Sequence, residues 1–261
     1  MENQTPRPWW QAPALIDGVK TAAFVLAAVL VVRTFVFQPF NIPSSSMKDT
    51  LLVGDYVLVT KFSYGYSRHS FPWSLAPFSG RVLFFSQPER GDVVVFRKPS
   101  DLRIDYIKRV IGLPGDHIQM VGGVLHVNGR PVKLKKIEPF SEEQSDCPLQ
   151  QPVPRYLETF PGGAAHDILA CDPDGALNNT SEFVVPPAHY FMMGDNRDDS
   201  TDSRDPTGGV GFVPEENLIG KAQFIFFSPI CYDEAGCKAQ LWEFWKWPWA
   251  IRYERFFKPI D

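Results

Sequence analysis

The sequence predicts a mostly β fold: a hairpin-rich antiparallel sheet domain carrying an inserted subdomain and preceded by one amino-terminal transmembrane helix. Three observations carry that prediction. A single apolar segment of membrane length stands near the amino end. Beyond it, short β-branched and aromatic runs recur between turns, and 24 prolines, 19 glycines and 14% aromatic residues favour short strands over long helices. The strand pattern then lapses between residues 131 and 186, as an insertion would make it. At 261 residues and 44% hydrophobic, the chain suffices for one anchored body with a sizeable core and is too short for two large domains. Net charge is only −4 with both signs interspersed, so no basic face points to nucleic acid.

Residues 1–13, with Pro6, Pro8 and Pro13, form a tail. Thr21–Val32 is uncharged, and with Leu15, Ile16, Val19 and Phe35–Phe37 it reaches the roughly 20 residues a bilayer crossing needs, which sets an anchor over 14–36. Lys20 and Arg33 would snorkel to opposite interfaces. A cleaved secretory signal is the rival reading, but no small-x-small site follows Val32, where the chain continues Arg33-Thr-Phe-Val-Phe37. Arg7 and Lys20 on one side balance Arg33 and Lys48 on the other, so charge alone does not orient the anchor.

Phe40–Pro43 is extended, because a residue before proline is pushed out of the α region. Leu51–Phe62, Gly91–Phe96, Lys108–Gly112 and Gly123–Gly129 read as strands, the last ending in an Asn-Gly turn, with the turn Leu113-Pro-Gly-Asp116 between. From 131 to 186 the chain turns to proline, glycine, glutamine and acidic residues, a looser inserted subdomain. Strand character returns at Glu182–Val185, His189–Met193 and Gln223–Phe227. The four cysteines, 147, 171, 231 and 237, lack CxxC or Cys/His zinc spacing. Cys231 and Cys237 flank a turn-like pentapeptide that a disulfide could close, and Cys147 could pair with Cys171 in an oxidising compartment; four thiols are the alternative.

Two stretches carry chemistry. Ser46 lies in the cluster Pro43-Ser-Ser-Ser-Met47, where a tight turn would present its hydroxyl, and its own N–H with the Ser44 hydroxyl could face a developing oxyanion. Serine needs a base within hydrogen-bond reach, and lysine serves as one only where burial keeps it neutral. Lys108 shares a strand face with Tyr106 and Val110, among apolar neighbours; acting near neutrality would need its pKa to drop by roughly two to three units from about 10.4. Taken alone, the serines are ordinary loop material and the lysine an ordinary surface residue. The polar run Gly194–Arg204 mixes aspartates and arginines and suits a paired network holding Ser200 or Ser203; it lacks the terminal glutamate and flanking helices of an EF-hand. Histidines 69, 117, 126, 166 and 189 are scattered and give a Ser/His/Asp triad no positive signal.

Together these stretches resemble bacterial type I signal peptidase, the Ser/Lys family of leader peptidases. The matching segments are Ile42–Met47 with Thr50–Asp55, Arg90–Phe96, Tyr106–Asp116 and Gly194–Arg204, in family order after a membrane anchor. The resemblance implies a membrane-bound serine endopeptidase that removes signal peptides after small residues at P1 and P3. Ser46 would be the nucleophile, Lys108 the general base, Ser44 the second oxyanion donor and Ser200 the hydroxyl that orients the amine. Phe96, Tyr106, Met192 and Met193 would desolvate Lys108, and Asp195, Asp202, Arg109 and Arg204 would brace the site. Phe40, Ile42, Pro43, Met47, Leu51, Val95, Asp105, Tyr106 and Ile107 match the substrate-pocket positions. Asp49 stands where many members carry proline, Asp199 where asparagine is usual and Ser45 where glycine is frequent.

The same resemblance makes 1–13 a cytoplasmic tail and 37–261 an extracytoplasmic domain on a single-pass anchor in the bacterial inner membrane, where members often have two anchors. Partners would be exported preproteins and membrane lipid, with no nucleic acid, no cofactor, no metal and a monomeric chain. Segment 241–258 mixes tryptophans with bases, as membrane-interface segments do, although packing on the β body would explain it as well. Two rivals differ from this reading. A self-cleaving Ser/Lys repressor would need a helix-turn-helix where this chain has its apolar segment, and a non-cutting envelope module would have no use for Ser46, Lys108 and Ser200 together.

Overall fold

The computed structural model describes residues 13–71, 80–83, 86–140, 152–232 and 236–260, so most of the expected tail and Cys147 lie outside the described residues. The first element is a helix, Pro13–Phe35, whose portion Leu15–Phe35 has a mean hydropathy of 2.1. At 1.5 Å per residue its 21 residues span roughly 31 Å, enough to cross a bilayer. Phe24, Leu26, Val29 and Val31 are exposed on it, the mark of a helix that the body does not cover. Lys20 pairs with Asp17 at 3.7 Å on the same helix. The helix stops where Tyr66 Oη donates to the Phe35 carbonyl at 2.6 Å and the Phe35 ring meets Tyr66 and Phe71 edge-on. The end of the helix is thereby fixed to the body that follows.

That body is antiparallel. Its main sheet has eight strands: Phe37–Asn41, Tyr56–Thr60, Leu218–Phe227, Val93–Lys98, Asp101–Gly112, His189–Met193 and Phe212–Pro214 in spatial order, with Lys258–Pro259 also pairing to Leu218–Phe227. Alternation sends Val93 and Val95 to one face, with Ile42, Met47, Val57 and Ile219, and Val94 and Phe96 to the other, with Val110, Met192 and Leu218. Each such fully buried side chain stabilises the fold by about 1.5–3 kcal/mol. A four-stranded sheet (Phe183–Val184, His117–Val121, Val124–Val127, Arg130–Pro131) and a three-stranded one (Lys133–Lys136, Arg155–Thr159, Ala165–Leu169) complete the described β structure together with two short two-stranded pairs.

Several elements depart from the sequence expectation. Leu51–Asp55 is a turn rather than strand: Gly54 takes φ +94° and Asp55 accepts the Leu52 N–H at 2.9 Å, so the strand starts at Tyr56. The Lys108 strand begins earlier than expected, at Asp101: its first half, Asp101-Leu-Arg-Ile-Asp105, alternates charged with apolar residues and is mostly exposed. The last long strand begins at Leu218 and contains Gly220, where a Cβ would run into the Thr60 carbonyl of the neighbouring strand. The region expected to be loose holds regular strands whose lysines, Lys133, Lys135 and Lys136, hide the alternation. In the carboxyl segment, Trp247 and Phe256 pack on Phe227, whereas Trp242, Phe244, Trp245 and Trp249 are exposed. Cys231 and Cys237 form a disulfide between two short paired strands, and Cys171 is disulfide-bonded too.

Candidate active site

The serine cluster sits at the start of a loop closed at its base by two backbone hydrogen bonds, Ile42 N–H to the Asp55 carbonyl and Gly54 N–H to the Ile42 carbonyl, both 2.8 Å. Apolar side chains root it, since Met47, Leu51 and Leu52 are buried beneath. Asp55 holds the base from inside: Ser228 Oγ donates to it at 2.6 Å and Arg255 Nη2 at 2.5 Å. The turn expected around Ser46 is present, with Lys48 N–H donating to the Ser45 carbonyl at 2.8 Å. It does not expose the hydroxyl, however: Ser46 is buried, and Lys108 Nζ donates to its Oγ. Ser44 Oγ lies 3.4 Å from Ser46 Oγ.

Lys108 is 2% exposed. Its strand neighbours along the same face, Tyr106 and Val110, join Phe96 and Met192 in one apolar cluster, and its Nζ stands 5.6 Å from the centre of the Tyr106 ring. Burial lowers the Lys108 pKa from 10.5 to about 8; Asp202, Asp195 and Asp199 oppose that fall, and Arg204 assists it. Met193 does not contribute as expected. Alternation turns it opposite Arg109 and into the cluster of Ile111 and Phe191 on the other face.

The 194–204 loop closes over this pair. Asn196 N–H donates to the Ser46 carbonyl at 3.2 Å and its side chain to the Ser45 carbonyl at 3.3 Å. Gly194 passes so close that an added Cβ would overlap the Ser46 carbonyl and the Ser200 hydroxyl. Two buried ion pairs brace the loop. Arg109 binds both carboxylate oxygens of Asp195, at 2.8 and 2.7 Å, and Arg204 binds both of Asp202, at 2.9 and 2.8 Å. Burial acts to raise the pKa of Asp195 and Asp202, and their arginines and hydrogen bonds more than offset it, leaving both carboxyls below the ordinary value. Ser200 is buried, but its hydroxyl has no hydrogen-bond partner among the described residues, so it does not hold the Lys108 amine in this arrangement.

A groove of about 590 Å³ opens beside Ser46 and Lys108. Phe40, Ile42, Pro43, Val95, Asp105, Tyr106 and Ile107 line it, and Asn41, Ser44, Ser45, Ile104, Asp199 and Thr201 join them. Met47 and Leu51 do not reach it. Both are fully buried in the core that backs Ile42, where they set the wall's position and touch no groove space. Asp105 pairs with Arg97 at 3.1 Å; burial raises its pKa, with Arg97 opposing.

Further groups escaped the sequence reading. From the three-stranded sheet, Arg155 reaches Asp49 at 2.7 Å and Asp167 at 2.5 Å, tying the serine loop to that sheet. Glu158 pairs with Arg197 at 2.5 Å, beside a buried His166 whose pKa burial lowers to about 4. Arg155, Glu158 and His166 lie in the region expected to be a loose insertion, far in sequence from their partners Asp49 and Arg197, and no local pattern marks them.

Comparison with known proteins identifies the family. Residues 15–227 match the family described as signal peptidase, peptidase S26. A signal peptidase I from Rickettsia prowazekii is 40% identical over 91% of both chains, and one from Rickettsia conorii is 42% identical over 79% of this chain and 77% of that one. A solved signal peptidase I from Enterococcus faecalis is 24% identical with a TM-score of 0.31, covering 52% of this chain and 97% of that one, too distant a likeness to add to the argument. Matched over most of its length by that family and by relatives at about 40% identity, the chain belongs to the signal peptidases of family S26.

Proposed function

We propose that this peptidase cuts preproteins with Ser46 as nucleophile and Lys108 as general base. The hydrogen bond between Lys108 Nζ and Ser46 Oγ at the floor of the groove carries the reading. A neutral Lys108 takes the hydroxyl proton as Ser46 Oγ bonds to the scissile carbonyl carbon; the charge on the carbonyl oxygen falls to the Ser46 N–H and the Ser44 hydroxyl. The resulting ammonium gives its proton to the leaving amine as the C–N bond breaks. Water, deprotonated by the same amine, then releases the acyl chain and restores Ser46. Ser200 would complete the site by turning its hydroxyl toward Lys108 once substrate orders the groove.

The groove suits an extended chain. The 101–107 half of the Lys108 strand lies beyond the stretch that pairs with His189–Met193, so among the described residues no strand occupies its outer edge, which would accept another. Phe40, Ile42, Pro43, Val95, Tyr106 and Ile107 would crowd shallow pockets that admit small residues at P1 and P3. The 14–36 segment would anchor the chain in the inner membrane, with 131–186 as an insertion into the 37–261 body and the exposed tryptophans of 241–258 against lipid. Disulfides at Cys231–Cys237 and Cys171 favour placing that body on the oxidising, extracytoplasmic side of a monomer. The test is cleavage of one preprotein in detergent: Ser46→Ala and Lys108→Ala should each abolish it while thermal unfolding stays cooperative, and processing by either variant refutes the assignment.

A further inference from the structure

The turn that carries Ser46 contains a residue in a conformation that side chains seldom adopt. Asp49 has φ +58°, left-handed backbone that a residue other than glycine keeps only where its surroundings hold it. It lies inside the turn, between the Lys48 N–H that donates to the Ser45 carbonyl and the Leu51 N–H that donates to the Met47 carbonyl, both at 2.8 Å. Its carboxylate is buried, and a buried charge has to be met by a partner. Arg155 supplies one from the three-stranded sheet: its Nε donates to Asp49 Oδ2 at 2.7 Å, while its Nη2 donates to Asp167 Oδ2 at 2.5 Å on the adjacent strand. The guanidinium fork is thereby fixed to the sheet on one side and to the turn on the other. We propose that Arg155 is a positioning residue for the peptidase reaction, its bond to Asp49 holding the left-handed step that aims Ser46 at Lys108.

Other contacts hold the turn from other sides. Thr50 donates to Asp195 at 2.5 Å, Asn196 to the Ser45 and Ser46 carbonyls, Ser45 to the Asp199 carboxylate, and Arg255 to the Thr50 carbonyl at 3.0 Å. These act on residues before and after Asp49, whereas the Arg155 bond is made to the Asp49 side chain itself. Burial raises the pKa of Asp49 and Arg155 opposes the rise; Asp167 adds to it and Lys258 opposes it. Removing Arg155 would therefore leave a buried carboxylate without the cation it touches, at the one left-handed position of the turn.

The inference rests on the Ser46–Lys108 reading, and two readouts keep them apart. Hydrogen exchange at the Lys48 and Leu51 amides reports the turn whether or not Ser46 is the nucleophile, and kcat and KM on one peptide substrate report the reaction. Full-length protein in detergent is compared as wild type, Arg155→Ala, Arg155→Lys, Asp49→Asn, Asp167→Asn and Arg155→Ala/Asp49→Asn, with kcat normalised to the folded fraction. Arg155→Ala should speed exchange at both amides by about tenfold or more and lower kcat by roughly tenfold to a hundredfold, with KM changed by less than about threefold. Asp49→Asn, which tolerates left-handed backbone but carries no charge, should give a smaller loss of the same kind. Arg155→Lys, a single cation that cannot hold both carboxylates as the fork does, should fall between wild type and Arg155→Ala. These two milder variants carry the test should Arg155→Ala fail to fold. Asp167→Asn alters only the sheet side of the fork and should lower kcat less than Asp49→Asn does. The double variant should be no worse than Arg155→Ala, because it leaves no buried carboxylate without a partner. A protein in which Ser46→Ala still cuts fails the nucleophile assignment and takes the inference with it. With that assignment intact, exchange or kcat unmoved by the Arg155 and Asp49 variants, or losses that multiply in the double variant, overturn the inference alone.

Discussion

Lys108 donates to Ser46 Oγ from a side chain that is 2% exposed, so the residue best placed to take the serine proton is also one stripped of water. Burial alone favours the neutral amine, and the nearby aspartates pull the other way without cancelling it. In the proposed mechanism that balance would leave Lys108 a base working just above neutrality.

That balance fixes a pH dependence. The base must be unprotonated, so kcat/KM should fall about tenfold per unit below an apparent pKa near 8 and level off above it. A pH–rate profile on a peptide substrate in detergent measures it. An acid limb lying near 10 would mean that the lysine is not desolvated in the working enzyme.

The same burial has a stability cost. Below pH 8 the amine is protonated in folded and unfolded chains alike, and a pKa lowered from 10.5 to about 8 destabilises the fold by about 3 kcal/mol. Between those two pKa values the folded protein has released the proton and the unfolded chain has not, so the cost shrinks as pH rises. Lys108→Met should therefore be inactive yet more stable at pH 7, by up to about 3 kcal/mol, and the gain should vanish near pH 10.5. Denaturant unfolding at the two pH values reads both effects.

Arg109 and Asp195 are each 1% exposed, and removing one leaves the other charge buried without its partner. Asp195→Ala should cost about 3–5 kcal/mol of stability and release the loop that carries Ser200. Replacing the pair by apolar residues of similar volume should cost less, and equal losses in the single and double variants would contradict the role given to the pair.

Gly194 tests the packing of the two loops without touching a charge. An added methyl has no room between the Ser46 carbonyl and the Ser200 side chain, so Gly194→Ala should push the loops apart. A displacement of about 1 Å is enough to lower kcat on the order of a hundredfold. Near-wild-type kcat in this variant would show the loops less tightly apposed than described.

Much of this was legible in the sequence, for identifiable reasons. The helix could be read because Thr21–Val32 carries no charge, and Val93–Phe96 because it is apolar on both faces. Ser46, Lys108, Arg109 and Asp195 lie in short motifs that keep their order along the chain. Lys133–Lys136 escapes a reading by periodicity because its lysines interrupt the alternation, whereas Asp101–Asp105 does alternate, with Leu102 and Ile104 set between charges. The ties from Arg155 to Asp49 and from Arg255 to Asp55 join residues more than a hundred positions apart, and periodicity does not reach across such a separation. Met193 was placed on the wrong face because adjacency to Met192 says nothing of alternation. The Ser45–Asp199 contact was not read at all, although both positions stood out as departures from the family pattern.

The most direct measurement is a titration of the Lys108 amine itself. NMR of the detergent-solubilised full chain with ¹³C-labelled lysine, assigned by the signal missing from Lys108→Met, reports its protonation against pH. A midpoint near 8 is the predicted result, and a midpoint near the 10.5 of an exposed lysine would contradict the account.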